Sequence, residues 1–128
     1  MIKREHNMKQ AIIGVRRVYD APRSDDGDRY LIDRFWPRAV KKKDLRITAW
    51  LKEVAPSNDL RRWFGHDPAK WDEFQRRYRA ELDVAPNTWE SLLEACQQGT
   101  VTLLYAARDT KHNNAIVLKA FLEEHKVA

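Results

Sequence analysis

Apolar positions along the chain follow two different periods, and the change of period divides it into strands and helices. From Ala11 to Tyr19 apolar and charged residues alternate loosely, as in a strand. Tyr30 to Phe35 reads as a second strand, and Trp50 to Ala55 as a third, short one that stops before Pro56. Thr100 to Ala107 is almost wholly apolar, the pattern of a strand covered on both faces. Asp20 to Asp28, rich in Pro, Ser, Asp and Gly, is a loop. Because that loop is too short for a crossover helix, strands one and two are expected to be antiparallel neighbours. Val40 to Leu45 is a lysine-rich connection.

The helical period takes over after Pro56. Ser57 caps a short helix carrying Leu60, Trp63 and Phe64, and Gly65 ends it. Asp67 and Pro68 start the next helix as cap and first residue. It lines up Trp71, Phe74, Tyr78 and Leu82, with Glu73 and Arg77 spaced to pair on another face. Asn87 and Glu90 have capping-box spacing ahead of Trp89, Leu92, Leu93 and Cys96, and Gly99 stops that helix. A last helix from about Asn113 to His125 turns Val117, Leu118, Phe121 and Leu122 inward. Together these elements predict an α/β fold: a small mixed sheet covered by helices, with a site in the βα turn after the last strand.

The length of 128 residues suits one domain with its own core. Residues 1–7 are polar and patternless, so the folded unit is expected to span 8–128. With 43% hydrophobic residues the chain is not disordered by composition. One cysteine, Cys96, excludes an internal disulfide and fits a reducing, cytoplasmic setting. No apolar run approaches the roughly 20 residues needed to span a bilayer, so no membrane association is expected. The net charge of +5, from 24 basic and 19 acidic residues, favours anionic partners. Acidic residues interleave with the basic ones, which argues for a small anionic or phosphorylated ligand and only weak nucleic-acid binding.

Candidate chemistry gathers in two places. The strand from Arg29 onward runs into Asp33, Arg34, Phe35, Trp36, Pro37 and Arg38. Arginine grips phosphate or carboxylate through two parallel hydrogen bonds, so this strand end points to an anion-handling pocket. The second cluster follows the buried strand: Tyr105, Arg108, Asp109, His112, Asn113 and Asn114. In α/β folds, ligands bind beyond the carboxyl ends of strands, near helix N-termini. Capping by Asp109, Thr110 or Asn113 explains part of that cluster without any function. Cys96, on an apolar helix stripe, reads as an inert core thiol. His66, Asp67, Asp109 and His112 lack the spacing of a zinc or calcium motif, and His66 fits a turn. There is no glycine-rich phosphate loop, and the sequence leaves any cofactor unknown.

Several blocks carry a family resemblance: Arg17 to Asp20, Leu31 to Arg38, Trp50 to Ser57, Leu103 to Arg108, and His112 to Ala115. They resemble the family catalogued as domain of unknown function 488, in its short, YeaO-like branch. The resemblance runs over nearly the whole chain from Met8 and implies a compact α/β domain, but supplies no reaction. Longer members of the wider family carry a cysteine at the end of the last strand and a second, followed by His-Arg, at the next helix. This chain has Tyr105 and Asn113 there, followed by Asn114 and Ala115, so thiol chemistry does not carry over. It also has Ala39 where the short branch tends to have glycine.

These readings converge on one polar pocket. Asp33, Arg34, Trp36 and Arg38 would form one side, and Tyr105, Asp109, His112, Asn113 and Asn114 the other, with Lys52 and Ser57 closing an edge. Three uses are open. The pocket could serve a small enzyme acting on a phosphorylated or nucleotide-like metabolite. Arg34 and Arg38 would then hold the anion, Trp36 would stack, and Asp33 or His112 would move a proton. That enzyme is the favoured reading; its rival is a non-catalytic module for a nucleotide or nucleic acid, which as a nucleic-acid binder would have Lys41 to Lys43, Arg61, Arg62, Arg76, Arg77 and Arg79 on one face. Or the Asp–Arg cluster could be an internal salt-bridge network.

Overall fold

A computed structural model describes residues 12–126. The boundary expected at Met8 lies outside the described residues. Four strands, β1 (Ile13–Arg17), β2 (Asp28–Leu31), β3 (Ala49–Trp50) and β4 (Val101–Tyr105), form one sheet in the order β1-β4-β2-β3. Five α-helices accompany it among the described residues: α1 (Lys42–Leu45), α2 (Asn58–Phe64), α3 (Trp71–Asp83), α4 (Glu90–Gln98) and α5 (Asn114–His125). The fold is a small α/β domain.

Every strand pair is parallel, so the sheet is not mixed, and β1 and β2 are not neighbours. β4 lies between them, pairing Val15 with Leu103 on one side and Leu103 with Tyr30 on the other. The expectation of an antiparallel pair fails because the loop after β1 recrosses the sheet without a helix. Side chains and backbone of β4 hold that crossing loop down. Thr102 Oγ1 donates to the Asp26 carbonyl at 2.7 Å, and the Asp28 N–H donates to the Thr100 carbonyl at 3.1 Å. Gly27 passes so close, at φ +66°, that a Cβ there would stand 2.1 Å from the Thr100 carbonyl oxygen. Asp26 is buried and paired with Arg29 Nη1 at 2.5 Å, while Arg29 also donates to the carbonyls of Leu45 and Arg46. A buried charge needs partners of this kind, and the loop supplies them.

All five residues of β4 are buried, because apolar layers cover both faces of the sheet. Leu103 joins the main core with Ile13, Ile32, Phe74, Tyr78, Leu92, Leu118 and Phe121 under α2 to α5. Leu104 points the other way, into a smaller core with Val18, Leu31 and Leu45, against which Trp36 and Trp50 pack. The period-two alternation of β4 thus feeds two cores.

The helices obey their sequence signals with two exceptions. Ser57 caps α2 by accepting the Leu60 N–H at 3.1 Å, and Gly65 ends it in the left-handed conformation at φ 53°. Asp67 caps a 3₁₀ turn, Pro68–Lys70, that leads into α3. α3 buries Phe74, Tyr78 and Leu82, and Glu73 pairs with Arg77 at 2.7 Å and with Arg76. The capping box does not form: Pro86–Thr88 is a 3₁₀ turn, and Trp89, with no capping side chain, precedes α4. The third strand is only Ala49–Trp50, since Lys52–Val54 turns as a 3₁₀ helix toward Pro56. β2 likewise ends at Leu31, and the residues after it leave the sheet to build the site.

Candidate functional site at the ends of β2 and β4

Parallel strands place all their carboxyl ends along one sheet edge. After β4 the chain turns back into α5, which packs on β1 and β4, whereas after β2 it runs outward to β3. The connections diverge between β2 and β4, and a crevice opens where they part, the standard position for a ligand in open α/β sheets. A pocket of about 600 Å³ occupies it, lined by Tyr19, residues 33–38, Ala106, Ala107 and His112 to Asn114, with Arg61 on α2 and His66 just after it.

Asp33 is the hub between the two strand ends. Its Oδ2 accepts the Ala106 N–H at 2.9 Å, and its Oδ1 accepts Asn114 Nδ2 at 3.0 Å. Burial raises its pKa above the ordinary aspartate value, against the opposing pull of the Asn114 and Ala106 hydrogen bonds and of nearby His66. Asn114 Nδ2 also reaches the Ile32 carbonyl at 3.2 Å. Asn113 is spent on structure: it caps α5 by accepting the Ile116 N–H at 3.1 Å and donates to the Asp109 carbonyl at 2.9 Å.

The two arginines of the strand-end block differ. Arg34 is engaged by the carbonyls of Pro56 and Ala55 at 3.3 and 3.2 Å, and its Nη1 stands 3.7 Å from Glu53. Arg38 is exposed at the pocket wall, and its guanidinium makes no hydrogen bond or ion pair among the described residues. Arg61 is the second cation of the wall, stacked 5.0 Å over the Phe35 ring with no ion pair among the described residues. Trp36 lines the pocket, but its indole N–H is committed to the Val40 carbonyl at 2.6 Å, and its ring meets Trp50 edge-on. The exposed rings of the lining are Phe35, 57% accessible with Arg61 over one face, and Tyr19, 47% accessible.

His112 faces the pocket from the opposite side. Its Nδ1 lies 2.9 Å from Asp109 Oδ2, and Trp71 packs against it edge-on at 5.2 Å between ring centres. Nε2 has no hydrogen-bond partner among the described residues, and His112 lines the cavity. Asp109 itself stands behind the histidine, its Oδ1 accepting the N–H groups of Lys111 and His112.

Of the residues expected at the site, Asp33, Arg34, Trp36, Arg38, His112, Asn113 and Asn114 line this one cavity. Lys52, Ser57, Tyr105 and Asp109 do not. Lys52 lies 5.2 Å over the Trp50 ring, outside the cavity. The Ser57 hydroxyl donates to Glu81 Oε2 at 2.6 Å while capping α2. Tyr105 is buried in the main core because the alternation of β4 points it there. Sequence reasoning missed the pocket positions of Tyr19, Phe35, Arg61 and His66. Gly65 and the left-handed His66 (φ 58°) turn the chain after α2 and bring His66 to the wall, and that turn was the available signal.

A family model described as "Inactive DUF488-N3 subclade" matches residues 12–127. The chain belongs to this family. It is 39% identical over 110 residues to "Uncharacterized protein YeaO" of Escherichia coli, covering 86% of this chain and 96% of that one. "Uncharacterized protein Rv3073c" of Mycobacterium tuberculosis is 38% identical over 115 residues, covering 90% and 97%. No solved structure matches the chain. No helix among the described residues is long and apolar enough to cross a membrane, and no group of three or more His, Cys, Asp or Glu side chains among them is placed to hold a metal ion.

Proposed function

We propose that this DUF488-N3 protein is a non-catalytic binding module for a small anionic ligand, phosphorylated or nucleotide-like, held in the β2/β4 crevice. One observation carries the reading: Arg38 stands at the pocket wall with its guanidinium uncommitted, while its neighbour Arg34 is consumed by carbonyls and Glu53. An arginine left unpaired beside a cavity is suited to a phosphate or carboxylate brought by a ligand. Arg61 supports it from α2, and a cavity of about 600 Å³ is of the size that small ligands fill. The family's description as inactive, and the absence of thiols at Tyr105 and Asn113, favour binding over turnover.

A small enzyme acting on the same ligand class is the second reading. It rests on the Asp109–His112 pair, whose histidine lines the cavity as a general base requires. A nucleic-acid module has less support. Arg62 pairs with Asp59, Arg76 and Arg77 with Glu73, and Arg79 with Glu124. Lys42 and Lys43 ride on α1, whose Leu45 packs into the core on the opposite side of the sheet. A reducing, cytoplasmic setting accords with the unpaired, buried Cys96.

The test is thermal denaturation with phosphorylated metabolites. A ligand that binds the folded state alone stabilises it by RT ln(1 + [L]/Kd), about 2.7 kcal/mol at a hundredfold excess over Kd. The expected result is a Tm rise of several degrees that Arg38→Ala abolishes without changing the melting of the unliganded protein. Turnover of the stabilising compound, lost in His112→Ala, would favour the enzyme instead.

A further inference from the structure

The pocket has two chemically opposite ends. Its wall carries Arg38 and Arg61, neither ion-paired among the described residues, with the Phe35 ring beneath Arg61. Its floor carries Asp33 and Asn114. Each Asp33 oxygen accepts one protein donor, Ala106 N–H or Asn114 Nδ2, and each has capacity for another. The Asn114 Nδ2 donor is occupied by Ile32 and Asp33, which leaves its Oδ1 as an acceptor with no donor among the described residues. So the wall offers cationic donors and an aromatic face, whereas the floor offers acceptors only.

A plain anion satisfies only half of such a cavity. Inorganic phosphate would complement Arg38 and Arg61 but bring no donor to the half-buried Asp33 carboxyl group, and a sugar phosphate would bring hydroxyl donors to it but no flat face for Phe35. A carbonyl-edged group at the floor would set oxygen against oxygen. An amino-bearing ring would donate to Asp33 and Asn114, and its flat face would suit Phe35.

Building on the binding reading above, we propose that the pocket is selective for nucleoside monophosphates whose base carries an exocyclic amino group. The phosphate lies at Arg38 and Arg61, and the amino group donates to Asp33. Asp33 is then the specificity-determining residue, because a site built around a half-buried acceptor discriminates against an analogue that lacks the matching donor.

Matched ligand pairs test this on the unmodified protein by calorimetric titration. AMP and IMP differ at the purine 6-position, amino against oxo, and CMP and UMP differ likewise at the pyrimidine 4-position. The expected result is tighter binding of AMP than IMP and of CMP than UMP, by about tenfold or more in each pair. Asp33→Asn, which places amide donors at the floor, is expected to shrink or invert both ratios, with circular dichroism confirming that the variant folds. Equal affinities within both pairs, or ribose 5-phosphate binding as tightly as AMP, would overturn the amino-group assignment and leave the anion pocket standing. No binding by any nucleotide, ribose 5-phosphate or inorganic phosphate would overturn both.

Discussion

The Asp33 carboxylate accepts the backbone N–H of Ala106 at 2.9 Å, tying the residue after β2 to the residue after β4. This bond holds the two lips of the crevice at a fixed separation, and Asn114 adds α5 to the same carboxylate. Removing it with Asp33→Ala leaves a backbone N–H and a side-chain amide without their acceptor. The expected cost is about 1–3 kcal/mol in chemical denaturation at constant m-value.

Asp33 and Asp26 should respond to pH with opposite signs. Burial raises the Asp33 pKa above its unfolded value, so its stabilising contribution is complete at acid pH and is lost as pH rises through the folded pKa. For Asp26 burial also pushes upward, but the Arg23 N–H and the Arg29 guanidinium outweigh it and the net pKa is lowered. Its contribution is present above the ordinary aspartate range and disappears as pH falls through the folded value. Denaturation of Asp33→Ala and Asp26→Ala against the parent, across acid to neutral pH, should show the first difference shrinking and the second growing as pH rises.

Ala39 occupies φ 61°, a conformation that glycine adopts without cost. A left-handed alanine costs about 1–2 kcal/mol, part of which glycine gives back through its freer unfolded chain. Ala39→Gly is expected to raise stability by up to about 1 kcal/mol. Gly27→Ala should do the reverse and far more strongly, because its Cβ would meet the Thr100 carbonyl.

Leu103 is fully buried in the main core and Cys96 is nearly so. Leu103→Ala is expected to cost about 2–5 kcal/mol. Burial pushes the Cys96 thiol up to about 11, so alkylating reagents should label it only as fast as the protein unfolds. Rapid labelling under native conditions would contradict the placement of α4.

Duplex DNA should bind weakly and lose its grip near physiological salt. Each phosphate contacted steepens the log–log salt slope by about 0.9, and four of the helix arginines that could make such contacts, Arg62, Arg76, Arg77 and Arg79, are already paired with glutamate or aspartate. Binding at sub-micromolar Kd at physiological salt would contradict this.

Local chemistry was legible in the sequence, and long-range geometry was not. The wholly apolar β4, the Ser57 and Asn113 caps and the apolar stripe of α3 each depend on neighbours a few residues away. The parallel pairing of β1 and β2 to β4 depends on a loop recrossing the sheet, which no periodicity encodes. Arg34 and Arg38 look alike in the sequence, and only the approach of Ala55 and Pro56 separates the structural arginine from the free one. Arg61 read as part of a basic face because its position over Phe35 comes from the docking of α2. Tyr105 read as a site residue because it ends a strand, yet its side of the pleat belongs to the core.

The location of binding is the central claim, and amide chemical-shift mapping tests it most directly. Titrating AMP into isotope-labelled protein should perturb the backbone amides of residues 33–38, Ala106, Ala107 and 112–114, and Arg38→Ala should suppress those changes together. Perturbations confined to α3 and α4, or none at millimolar AMP, would contradict the account.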